Sequence, residues 1–270
     1  MKIITVSKNL EMYDRLIKNN KFNQGCDFIL FDNNIENIGI SKRYNSMLEQ
    51  YNYKNEDWFI FCHEDFEFLE NWQKKLEKAN KNFVYGVIGT CLKNKKKYYY
   101  GKILNSDKQG NNLAEIGIAS SSHQIVDTVD CCCFIIHSSL IKKYNLRFDE
   151  NLSFHKYIEE FCIRVHENYD IKTAIFPVKC QHYSWGIDLP NDSFTQAEIY
   201  VQKKFANSKH CYTNTVSDVV LGSNVQIIKR VLKRKNFVLD FIFSKKITKS
   251  GELKIKICKI PLPVKFFKKG

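Results

Sequence analysis

The stretch DWFIFCHEDFEF, residues 57–68, constrains this chain more than any other. The five residues Trp58 to Cys62 form a uniformly apolar run, the length of a strand buried on both faces. It passes directly into His63, Glu64 and Asp65. Ionisable groups at the end of a buried strand are costly unless something pairs with them. The triplet is therefore expected to face a cation or a polar ligand, at a point where a central strand opens to the surface.

The surrounding pattern places that strand in an α/β domain. Residues 2–6 (KIITV) read as a buried strand, and 10–20 as a short helix with Leu10, Tyr13, Leu16 and Ile17 on one face. CDFILFDNN (26–34) is a second strand ending in Asp32, and 40–51 is helical, with Ile40, Tyr44, Met47, Leu48 and Tyr51 aligned. Alternating strands and helices predict a mainly parallel sheet flanked by helices. Ligands of such sheets gather at the carboxyl ends of the strands, where Asp32 and the His63–Asp65 triplet both fall. Further on, 71–80 reads as a surface helix, 83–92 as a strand and 93–125 as a long polar excursion near the site. Residues 129–141 read as a strand running into a helix, 148–169 as a loop and amphipathic helix, and 172–186 as a last core strand.

Composition narrows the class. At 44% hydrophobic and 14% aromatic residues, the 270-residue chain can bury a sizeable core. Its net charge of +13 is unevenly spread. From Lys229 onward lie 14 of the 42 Lys/Arg and 2 of the 29 Asp/Glu, leaving 28 basic and 27 acidic residues before it. A basic tail on a nearly neutral body suits anionic lipid headgroups as well as nucleic acid. Of the 10 cysteines, Cys62, Cys131, Cys132, Cys133 and Cys162 sit in apolar runs, and no paired CxxC motif points to zinc. The opening MKIITVSKNL lacks a signal peptide's apolar core, and no run approaches the ~20 apolar residues of a membrane span. A cytoplasmic protein with reduced thiols is expected.

Several segments then fall into a familiar order. A strand ending in Asp32 is followed by Asn37, Gly39 and Asn45 in an NxGxxxxxN spacing, and by a strand ending in HxD. Val129-Asp130 leads an apolar strand, FDENLSFHKY leads a helix, and a late strand ends in His182-x-Ser184. Over residues 1–186 this resembles the bacterial glycosyltransferase-like members of glycosyltransferase family 2. The resemblance implies a GT-A (Rossmann-like) fold over 1–210, with 211–270 as a basic C-terminal appendage.

It also implies roles. Asp65 matches the metal-binding Asp of a DxD-like motif and His182 a late histidine that completes the metal shell, with Mn²⁺ or Mg²⁺ as cofactor. Departure of a nucleotide diphosphate builds negative charge, which a divalent cation stabilises. Asp32, Asn37, Asn45, His63 and Glu64 are implied to bind the nucleotide sugar, with UDP the expected nucleotide. Asp130, His155 and Trp185 are implied on the acceptor side. Glu160, with Glu159 beside it, takes the position of the carboxylate base for an inverting transfer. Each has a purely structural rival. Asp32-Asn33-Asn34 also suits a turn, and glutamates in a helix's first turn are favoured by its dipole.

The expected activity is transfer of a sugar from a nucleotide sugar to a surface glycan such as lipooligosaccharide or capsule. In residues 223–243, apolar and basic positions alternate at helical spacing, as in helices that lie on anionic membranes, which predicts a peripheral membrane association. A metal-dependent nucleotidyl or phosphoryl transferase is the rival enzyme class. A nucleic-acid-binding module using the basic tail is the rival of a different kind. No RNA-recognition or zinc-finger signature supports the latter, so no nucleic-acid partner is expected.

Overall fold

In the computed structural model the described residues are 1–94, 96–107, 109–120, 122–184 and 192–217, with the backbone of 243–247, 253–257 and 260–261. The chain opens with β1 (Lys2–Ser7), α1 (Leu10–Tyr13) and a π-helical turn over Asp14–Lys18, then β2 (Asp27–Asp32) and α2 (Ile40–Gln50). Next come β3 (Trp58–Cys62), β4 (Phe66–Phe68), α3 (Gln73–Glu77), β5 (Phe83–Gly86) and β6 (Gly89–Lys93). The polar excursion supplies β7 (Lys96–Tyr100), β8 (Ile103–Ser106) and β9 (Asn112–Ile116). It is followed by β10 (Ile125–Val126), β11 (Thr128–Val129), β12 (Cys133–His137) and α4 (Ser138–Tyr144). The last core elements are α5 (Tyr157–Tyr169), β13 (Lys172–Ile175), β14 (Cys180–His182) and α6 (Asp192–Lys204).

The central sheet has seven strands in the order β10-β13-β5-β12-β3-β1-β2. β2, β1, β3, β5 and β13 run one way; β12, between β3 and β5, and the short β10 run against them. β3 and β12 are buried at every residue, as their unbroken apolar runs require of strands covered on both faces. β2, at the edge, alternates between exposed and partly covered residues. One face of the sheet (Ile4, Phe59, Phe61, Phe134, Ile136) packs under α2 and α5 through Tyr44, Leu48, Ile158 and Phe161. The other face (Ile3, Trp58, Ile60, Ile135) packs on Tyr13, Ile17, Phe66, Phe68 and Trp72.

The structure departs from the sequence reading in instructive places. The strand expected over 83–92 is split, because β5 belongs to the central sheet and β6 to a second sheet, β11-β6-β7. Gly86 at the break lies against Val129, whose Cβ would be 2.4 Å from any Cβ added there. The helix expected over 71–80 is the single turn of α3. β4, β14, β8 and β9 form a further four-stranded sheet from segments scattered along the chain. β15 (Phe243–Ile247), β16 (Leu253–Ile257) and β17 (Ile260–Pro261) make a small antiparallel sheet. The helix expected over 223–243 and the acceptor residue Trp185 lie outside the described residues.

Candidate active site

Two pieces of backbone bring the ionisable groups together. The His63 amide donates to Cys132 O at 3.0 Å, which carries the β3–β12 pairing one residue past the strand. The chain then turns into β4, and β4 pairs with β14 so that Phe66 lies opposite His182. The Tyr183 amide donates to Asp65 O at 2.8 Å, which fixes this register at the site itself. Asp65 and His182, 117 positions apart, thus become neighbours by strand pairing rather than by any local motif.

His63, Asp65 and His182 each offer a ligand atom, and these atoms lie within 4.8 Å of one another. Asp65 Oδ1 is 3.3 Å from His182 Nε2, an ion-pair contact, yet this buried oxygen has no hydrogen-bond partner. Burial pushes the Asp65 carboxyl up, but His182 and His63 outweigh it and hold the pKa at about 2. Burial pulls the His182 imidazole down, and Asp65 and Asp130 more than reverse this. For His63 burial prevails, so its pKa falls. An unpartnered buried carboxylate oxygen between two imidazoles is a donor set that fits a divalent cation.

Beside the cluster is a cleft of about 470 Å³, between the ends of β1 and β2, the start of α2 and the 153–154 loop. Of the residues expected to bind a nucleotide sugar, Asn37, His63 and Glu64 line it, with Asp65. Glu64 also accepts the Lys8 amide at 2.7 Å. Asp32 instead takes its structural alternative: its Oδ1 accepts from the Asn34 amide and side chain, at 3.0 and 2.8 Å, while Asn33 lines the cleft. Asn45 does not line the cleft. It is buried, exchanges hydrogen bonds with the Phe148 backbone at 2.8 and 2.9 Å, and donates to Glu150 at 2.9 Å. It ties α2 to the 148–150 loop.

The two glutamates implied as the base both lie in ion pairs. Glu160 is fully buried, paired with Arg164 at 2.7 Å and with Lys204 at 2.8 Å. Neither it nor Glu159 lines the cleft. Glu159 is equally committed, to the buried Lys156 ammonium at 3.1 Å. Glu160 ties α5 to α6 through Lys204, and Glu159 is paired at the start of α5.

Of the residues expected to meet the acceptor, Asp130 accepts from the Cys132 amide and from Thr215, and its charge is felt by both His63 and His182. His155 packs edge-on against Phe154 and Phe194. The sequence reading passed over Lys8, Asn33, Phe154, Tyr157 and Thr215. Lys8 and Asn33 follow strand ends, the rule that had already singled out Asp32. Thr215 carries no local signal.

No protein-family model and no curated protein matches the sequence. Among solved structures, TarS residues 1–349 of S. aureus is similar at 12% identity and a TM-score of 0.46, over 77% of this chain and 66% of that one. A longer TarS structure from the same organism gives 10% identity and a TM-score of 0.43, over 77% of this chain and 40% of that one. HddC of Yersinia pseudotuberculosis gives 17% and 0.30, over 74% and 78%. This chain thus spans 66% and 40% of the two TarS chains.

Proposed function

We propose that this protein is a metal-dependent glycosyltransferase that moves a sugar from a nucleotide sugar, with UDP as the nucleotide, to a surface-glycan acceptor such as lipooligosaccharide or capsule. The observation that carries the reading is the grouping of His63, Asp65 and His182 beside a cleft, with the buried Asp65 Oδ1 facing His182 at 3.3 Å and making no hydrogen bond of good geometry. The family resemblance of residues 1–186 supplies the reaction class.

In this reading His63, Asp65 and His182 hold the cation. When bound, it neutralises the charge that develops on a departing diphosphate. Imidazole suits Mg²⁺ poorly, so of the two expected metals Mn²⁺ fits this donor set better. Asn37 offers its amide group to the nucleotide, while the buried Asn33 amide, bonded to the Ile38 backbone, shapes the cleft wall; Phe154 stacks its ring on His63 at 6.0 Å. Asp130 orients the acceptor. Inversion belongs to this reading and needs a base other than Glu160.

No helix among the described residues is long and apolar enough to cross a membrane. The basic residues from Lys229 onward are read here as the means of holding the enzyme at an anionic membrane face, where lipid-linked acceptors reside. A thermal-shift screen of nucleotide sugars with Mn²⁺ and Mg²⁺, followed by product analysis on the responding donor, tests the whole reading. A ligand that binds only the native state raises the melting temperature. The expected result is a rise with one UDP-sugar in Mn²⁺. No response to any nucleotide sugar would remove the glycosyltransferase reading.

A further inference from the structure

His63 is held from two directions. Its ring lies nearly parallel to that of Phe154, at 17° between planes and 6.0 Å between centroids. At its edge, Nε2 is 3.1 Å from the hydroxyl of Tyr157. Tyr157 is the first residue of α5 and is itself buried, with Tyr44 and Phe148 packed around its ring at 6.2 and 6.1 Å. The ring fills core, but the hydroxyl reaches the imidazole.

A neutral imidazole carries one N–H, and the hydrogen bond made by one nitrogen decides what the other can do. If Nε2–H donates to the Tyr157 oxygen, the lone pair is left on Nδ1. If the Tyr157 hydroxyl donates to Nε2 instead, Nδ1 keeps the proton and can bind no cation. Metal-binding histidines commonly donate their second N–H to such a partner, which fixes both tautomer and ring orientation.

We propose that Tyr157 is a positioning residue for the metal cluster: it accepts the Nε2–H of His63, so that Nδ1 is the nitrogen presented to a divalent cation alongside Asp65 and His182. This rests on the proposed metal role of the cluster. It concerns the helix residue behind the site rather than the ligands themselves, and it gives the FHKY segment a task apart from the acidic residues that follow.

Tyr157→Phe removes the hydroxyl and keeps the ring, so the packing around Tyr44 and Phe148 is preserved. Calorimetric titration with Mn²⁺ alone is expected to show a loss of about 10- to 100-fold in affinity, the usual effect of removing such a partner. Long-range ¹H–¹⁵N spectra of the metal-free wild-type protein at pH 8 should show His63 protonated at Nε2, and the variant a mixture of tautomers. A wild-type His63 protonated at Nδ1 overturns the inference whether or not the variant folds. Unchanged Mn²⁺ affinity in Tyr157→Phe overturns it while leaving the metal cluster standing. Failure of the wild-type protein to bind Mn²⁺ overturns the cluster reading and this inference together.

Discussion

The Thr215 hydroxyl donates to Asp130 Oδ2 at 2.6 Å, across 85 positions of sequence. The segment after α6 therefore returns to the candidate site. It is anchored by the three residues just before that contact. Thr213 donates to Asp127 Oδ2 through its amide at 3.0 Å and its hydroxyl at 2.8 Å, and Asn214 accepts from the buried Lys156 ammonium at 2.9 Å. Tyr212 is buried in the core beneath α5.

Thr215→Val keeps the shape and removes the donor, leaving one Asp130 oxygen short of a partner. The expected cost is about 1–3 kcal/mol, the penalty for an unsatisfied buried acceptor. Thr215→Ser should retain most of the stability. Urea denaturation of the three proteins checks this, and equal stability of the valine and serine variants would show that the contact contributes nothing.

Glu160→Gln is expected to act on stability. It replaces the carboxylate shared by Arg164 and Lys204 with a neutral amide and should destabilise by on the order of 2 kcal/mol. At a temperature where the variant remains folded, nucleotide binding and turnover should stay near wild type. A variant with an unaltered melt and a hundredfold loss of turnover would return Glu160 to the role of base.

Acid should weaken the fold through Asp149. Burial pushes its carboxyl up, but Lys204 at 2.5 Å, Tyr200 at 2.7 Å and Asn151 outweigh it and hold the pKa well below the usual range. A depressed native pKa contributes stability that is present above the unfolded value and is lost as pH falls toward the native one. The loss therefore sets in below about pH 4, the ordinary aspartate value. Melting temperature against pH should fall more steeply there for wild type than for Asp149→Asn. Parallel curves would show that the Lys204 contact is not formed in solution.

The tail carries a separate prediction. Truncation after Gly222 keeps Thr215 and removes all 14 basic residues from Lys229 onward. Co-sedimentation with anionic vesicles should fall sharply, since each basic residue near such a surface contributes about 1 kcal/mol. Binding by the full chain should weaken with salt, as screening shortens to ~10 Å at 0.1 M. Equal vesicle binding with and without 223–270 would end the membrane reading.

How much of this was legible in the sequence depends on the range of each interaction. β1, β2, α2 and β3 were readable because hydrophobic periodicity is local, and the uniform apolar runs at 58–62 and 131–136 marked fully buried strands. The split of β5 from β6 was not readable, because it depends on Gly86 meeting Val129, 43 positions away. Asp65 and His182 could each be suspected as strand-end residues, but their 3.3 Å contact depends on the β4–β14 register. Glu160 shows the converse failure. Its place in the helix suggested chemistry; Arg164, one turn on, is a local partner, but Lys204 was invisible until α6 was seen to pack against α5.

The central claim is that His63, Asp65 and His182 bind a divalent cation that nucleotide binding requires. Calorimetric titration of UDP in the presence and absence of Mn²⁺, on wild type and on Asp65→Ala, tests it most directly, with a thermal melt to show that the variant is folded. The account predicts that Mn²⁺ strengthens UDP binding to wild type and that Asp65→Ala abolishes this metal dependence while remaining folded. Mn²⁺-dependent UDP affinity that is unchanged in the folded Asp65→Ala variant would contradict it.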